Sequence, residues 1–248
     1  MSRKLPSLAL AILAAGLVTG LVAGCSDPAP APAPKQGDQL VATLVSPTDI
    51  TLTWKADGVN VAGRVVEFAT EPQGQYTILQ FVGPTQTTYT HPDLIPETKF
   101  YYRIRPVYGP ASAAVEVTLP EGAFDDNADH GDQEWVAPHT VAGPTVATQS
   151  IRNSPTAGAP TDLKATVMDA NGVKLTWTDH ASDEEGYLLE VKPASSAGYS
   201  VAAVFERDIN AAGLVTLPNE KKAAIRVRAF YYGEPSNVAY QKTGSDQK

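Results

Sequence analysis

Ile50-Thr-Leu-Thr-Trp54 returns 123 residues further along the chain as Val173-Lys-Leu-Thr-Trp177. In both stretches the apolar residues occupy every second position, Ile50, Leu52 and Trp54 in the first and Val173, Leu175 and Trp177 in the second. That is the period of a strand with one buried face. At the same offset Leu40 meets Leu163, Glu67 meets Glu190, Tyr76 meets Tyr199, Arg103 and Arg105 meet Arg226 and Arg228, and Tyr108 meets Tyr231. The register holds without net insertion, so the chain carries an internal duplication with copies of about 80 residues.

Alternation continues outward. Phe100, Tyr102 and Ile104 interleave with Tyr101, Arg103 and Arg105, and Ile225, Val227 and Ala229 with Arg226 and Arg228. Turn formers such as Asp57-Gly58, Gly83-Pro84, Gly109-Pro110 and Asn171-Gly172 cut each copy into about seven short strands. Strands of this period with one polar face predict antiparallel sheets packed over a core, an immunoglobulin-like sandwich in each copy. The expected fold is all-β, with two tandem sandwiches at 39–120 and 160–243, a flexible linker at 121–159 and a short tail at 244–248.

The N-terminus is of another kind. Arg3 and Lys4 precede an apolar run from Leu5 to Gly24, the layout of a secretory signal over 1–24. Leu21-Val-Ala-Gly-Cys25 resembles the lipobox of bacterial lipoproteins, which implies cleavage before Cys25 and acylation of its thiol. This is the single Cys of the 248 residues. Read by length alone, the same run also approaches the roughly 20 apolar residues of an uncleaved membrane span. Residues 25–38 follow as a stalk, in which the alternation from Pro28 to Pro34 favours an extended polyproline helix.

The repeated segments resemble the fibronectin type III family. In copy one the likeness rests on Ile50 to Trp54, Val66-Glu-Phe68, Leu94-Ile-Pro-Glu-Thr98 and Tyr101-Tyr-Arg-Ile-Arg105; in copy two it rests on Val173 to Asp179, Glu184-Glu-Gly-Tyr187 and Arg226-Val-Arg-Ala229. Two positions depart from the family pattern. Its corner tyrosine is replaced by Phe100 and Ala223, and its C-strand tyrosine, kept as Tyr187, is Arg64 in copy one.

Composition narrows the partners. The formal net charge is −8, and loss of Arg3 and Lys4 with the leader makes the mature chain more acidic still, which disfavours nucleic acid. One Cys and four scattered His give no disulfide framework and no zinc cluster, so no cofactor is expected. Asp125-x-Asn127-x-Asp129 copies the first ligand positions of a calcium loop, but His130 stands where such a loop needs Gly and Val136 where it needs Glu. An acidic, solvated linker is the competing reading. The resemblance implies that Asp179 and Glu184 belong to a strand-connecting loop where carboxylates shape turns, a metal or ligand role being the alternative. No His sits in a nucleophile-elbow or metalloprotease context.

The remaining candidate is a basic, aromatic strip of Tyr101, Arg103, Arg105, Arg226 and Arg228 on the outward sheet face. It reads either as a solvated cross-strand ladder with Glu67 and Glu190 or as a landing strip for an anionic partner. The expectation is a non-catalytic, lipid-anchored surface protein outside the cytoplasm, whose domains bind or space. It would hold the membrane through its lipid and meet a surface protein or polysaccharide. A carbohydrate-binding accessory protein of the envelope is the alternative.

Overall fold

The computed structural model describes residues 39–122, 134–143 and 146–245. The leader, Cys25, the stalk and the candidate ligands Asp125, Asn127 and Asp129 lie outside them. The regular structure of the described chain is strand, apart from one 3-10 turn at Pro218–Glu220. Copy one supplies β1 (Val41–Leu44), β2 (Ile50–Thr53), β3 (Gly63–Ala69), β4 (Thr77–Val82), β5 (Thr88–His91), β6 (Lys99–Tyr108) and β7 (Val115–Thr118). Copy two supplies β8 (Thr161–Val167), β9 (Gly172–Thr178), β10 (Gly186–Pro193), β11 (Ser200–Phe205), β12 (Ala211–Val215), β13 (Lys222–Tyr232) and β14 (Ala239–Lys242).

The strands form three antiparallel sheets, two of them three-stranded, in the orders β1-β2-β5 and β12-β9-β8. The third runs β11-β10-β13-β6-β3-β4 across both copies, joined at its centre where Tyr231 and Tyr232 of β13 pair with Tyr108 and Val107 of β6. The alternation read from the sequence is what fills the cores. Ile50, Leu52, Trp54, Phe100, Tyr102 and Ile104 are buried together in one, and Val173, Leu175, Trp177, Ile225, Val227 and Ala229 in the other.

The last strand of each copy departs from the expected order. β7 leaves copy one and pairs with β13, placing Val117 opposite Ala223; β14 leaves copy two and pairs with β6, placing Ala239 opposite Tyr102. The segments 39–120 and 160–243 therefore do not each close their own sandwich: each borrows its final strand from the other. The crossing is hooked by two serines. Ser112 N–H donates to Val227 O and its hydroxyl accepts from Val227 N–H, while Ser236 makes the same pair of bonds with Ile104. Gly109, at φ 120, lets the chain cross close to β13, since a Cβ there would lie 2.1 Å from the Ala229 carbonyl oxygen.

Side-chain chemistry explains why the strands do not sit at home. Leu119, just past β7, is buried in the core of copy two. Thr243, just past β14, is buried in copy one with its hydroxyl donating to Ile95 O at 2.7 Å and accepting from Thr98 N–H at 2.8 Å. Returning each strand would strip Thr98 N–H of that acceptor and place a hydroxyl among aliphatic side chains, each costing about 1 to 3 kcal/mol. A third apolar cluster, Val107, Leu188 and Phe230 with Phe81, Val201 and Tyr232 packed on it, seals the two halves together.

The stretch read as a linker is also put to use. Residues 134–143 run along the edge of β12, and Ile151 is buried in the core of copy two. Gln149 brackets the turn there through bonds with His180 and Ser182.

His91 is half-buried at the end of β5, with its Nδ1 3.1 Å from the Tyr102 hydroxyl and its ring edge-on to Phe68 and Phe100. Burial holds its pKa below the ordinary 6.5. The unfolded chain therefore takes up a proton before the folded one, and stability should be full above about pH 6.5 and fall as the pH drops through that value. The thermal midpoint measured between about pH 7.5 and pH 5 should decline less steeply in His91→Gln than in the wild type. Parallel profiles would remove His91 as the cause.

Candidate functional site: the groove between the two copies

Where the shared sheet bends around the central apolar cluster it leaves a groove of about 1190 Å3. One wall is built by Val59, Phe81 and Pro84 of copy one, the other by Tyr199, Tyr231 and Arg152 of copy two and the segment before it. Val59 stands 83% exposed at the rim. Tyr108 and Tyr231, equivalent residues of the duplication, stack on each other at 5.5 Å beside the join of β6 and β13. Arg152 lies 4.5 Å over the Tyr231 ring and pairs with Glu185 at 2.9 Å.

The groove floor sets two guanidiniums against one carboxylate. Glu190, buried on β10, accepts from Arg226 at 2.5 Å and from two nitrogens of Arg228 at 3.0 and 3.2 Å. A third nitrogen of Arg228 donates to Gly109 O at 2.6 Å. Arg226 also lies 3.8 Å over the Tyr199 ring. Copy one repeats the ladder, with Arg103 at 2.6 Å from Glu67 and 4.1 Å over Tyr76.

Beside the groove the copies differ at one equivalent position. Copy one has Gly109 where copy two has Tyr232. The Tyr232 ring packs on Phe230 and under Arg105, whose guanidinium carbon is 4.4 Å from its centre. Burial pushes the Tyr232 phenol up to about 12, against the opposing pull of Arg105. In copy one the glycine brings its backbone close to β13 instead, and its carbonyl accepts from Arg228.

The candidate strip is thus split by the fold. Arg103 and Arg226 sit in separate, similar ladders, Arg228 is buried rather than outward, and Tyr101 packs on Tyr240 of the exchanged strand. Arg105 is half-buried and, among the described residues, has no carboxylate within ion-pair distance; it donates to Gly233 O at 3.4 Å.

A second polar cluster joins Asp179 and Glu184, the loop carboxylates singled out in the sequence, to Asp208, which carried no sequence signal because it meets them only in the fold. Asp179, Glu184 and Asp208 bring carboxylate oxygens within 4.8 Å of one another beside a cavity of about 380 Å3 that Asp162 also lines. Burial raises the pKa of Glu184, and burial together with the Asp179 bond raises that of Tyr187. Hydroxyl bonds from Thr161 and Thr178 lower that of Asp162. Copy one replaces the Tyr187–Asp179 pair with Arg64, fully buried and donating to Asp57 O at 2.5 Å and Pro84 O at 3.0 Å.

No family model matches the sequence, and no curated relative does either. Among solved structures the chain is similar to the FN1–FN3 domains of chicken CNTN1, at 18% identity and a TM-score of 0.27 over 84% of this chain and 65% of that one. It thus spans a little under two thirds of that structure's length. It is also similar to a segment of two fibronectin type III domains from chicken tenascin, at 15% identity and a TM-score of 0.26 over 83% of this chain and 99% of that one.

Proposed function

We propose that the chain is a non-catalytic, lipid-anchored surface protein of a bacterial envelope, tethered through Cys25, whose paired fibronectin-like sandwiches hold a surface protein or polysaccharide in the groove between them. The observation that carries this reading is the exchange of final strands. It fixes the two walls of the groove relative to each other, so a partner need not pay the ordering cost of bringing two loose domains together.

Two measurements test it. A lipid precursor fed to expressing cells should label the wild type and leave Cys25→Ser unlabelled; equal labelling would end the lipoprotein reading. Capture of cell-surface fractions by the purified chain should fall in Val59→Asp and Arg152→Ala while the thermal midpoint stays put. Capture that is unchanged in both variants would exclude the groove. Separate protein and polysaccharide fractions show which class is held.

A further inference from the structure

The duplication places two equivalent strands, β5 and β12, at the outer edges of the two three-stranded sheets. The edge of β12 is covered from within. His139 N–H donates to Ala211 O at 2.9 Å, Ala211 N–H to His139 O at 3.1 Å and Gly213 N–H to Val136 O at 3.1 Å. The Asn210 side chain then clamps both backbone groups of Val141. Trp135 lies flat across two glycines: a Cβ on Gly213 would meet its ring at 2.8 Å and one on Gly172 at 2.5 Å.

The edge of β5 has the same phase and, among the described residues, no such cover. Trp54 N–H donates to Thr87 O, so with Thr53 opposite Thr88 the bonds to β2 alternate onto Tyr89 and His91. The backbone groups of Thr88 and Thr90 therefore point off the sheet, as those of Ala211 and Gly213 do in β12. Among the described residues the Gln86 side chain donates to Thr88 O at 2.9 Å, and no backbone group pairs with either threonine. What lies beside this edge differs in chemistry. The glycines under the indole are replaced by Thr90 and Asp49. The neighbouring hydroxyls of Thr51 and Thr90 are 3.0 Å apart, and Asp49 accepts one bond from Asp93 N–H at 3.0 Å. An indole has no room over Thr90, whereas an ammonium or guanidinium would find hydroxyl acceptors and the Asp49 carboxylate.

We propose that the outer edge of β5 is a strand-addition site for an extended segment of a partner protein, one that pairs with Thr88 and Thr90 and sets a Lys or Arg side chain over Thr90 and Asp49. The residues that cover β12 show the backbone pattern such a segment adopts. This proposal does not rest on the groove or on lipidation.

The test uses the full mature chain and two fluorescein-labelled octapeptides: the sequence of residues 134–141, and the same peptide carrying Trp135→Lys. The Lys peptide should bind saturably and at least about tenfold more tightly than the Trp peptide. Thr90→Pro, which removes an outward N–H and no ladder bond, and Asp49→Asn should each weaken the Lys peptide at least about tenfold. With unaltered protein, the Thr88 and Thr90 amides should exchange faster than those of Tyr89 and His91 and slow when the Lys peptide is added. This readout stands whether or not Thr90→Pro folds. Absence of saturable binding, or amides that do not respond, would overturn the proposal. So would equal binding of the Trp peptide, which would point instead to a second copy lending its own 134–141 segment.

Discussion

Expressed alone, residues 39–122 should give no cooperative thermal transition. The segment keeps β1 to β7, but the strand that closes its sheet, β14, is missing. With it go the Ser236 hook on Ile104, the two bonds between Asn237 and Leu40, and the Thr243 bonds to Ile95 and Thr98. At about 1 kcal/mol net per bond, with the lost apolar contacts added, the deficit is comparable to the whole stability of a small domain. Its own β7 is a poor substitute because Leu119 cannot serve Thr98. Residues 146–245 alone should fail for the complementary reason, lacking Val117 and Leu119 from their core. Sharp unfolding of either segment by circular dichroism would show that a copy can close itself.

Trp177→Ala should cost about 3 to 5 kcal/mol. The indole is 4% exposed and stacks at 6.0 Å on Phe205 and 5.6 Å from Tyr187. Trp54 is buried equivalently in the other core, so Trp54→Ala should be similarly damaging. The informative quantity is the number of transitions. With shared strands and a common central cluster, either substitution should lower one calorimetric transition for the whole 39–245 unit. Two transitions, only one of which moves, would mean that the sandwiches unfold independently.

Much of this was legible in the sequence, and the part that was not has a physical reason. The period-two pattern around Trp54 and Trp177 gives the strands and their buried faces, and the offset of Arg103 from Glu67 foretells the ladder that recurs at Arg226 and Glu190. Pairing partners are a different matter. Val115 to Leu119 presents the same alternation whichever β-sheet edge accepts it, and periodicity reports a face rather than a neighbour. The hint lay in a mismatch, apolar Leu119 against polar Thr243 at structurally matching places, which distinguishes the two slots only when the surrounding carbonyls are in view. Burial of Arg228 was hidden likewise: its alternation is that of Arg105, but Gly109 in place of a tyrosine lets its guanidinium turn inward to a backbone carbonyl. The covering role of 134–143 had no periodic signal, and Gly172, read as a turn former, gains meaning together with Gly213 from the ring laid across them.

The exchange itself is tested most directly by removing residues 235–248 and following hydrogen exchange strand by strand. If β14 completes copy one, the truncation should deprotect β6 and β2, more than 130 residues away in sequence at Ile104, while β9 and β10 of the truncated copy keep the slower exchange. Loss of protection confined to β13 and its own sandwich, with β6 unaffected, would contradict the account.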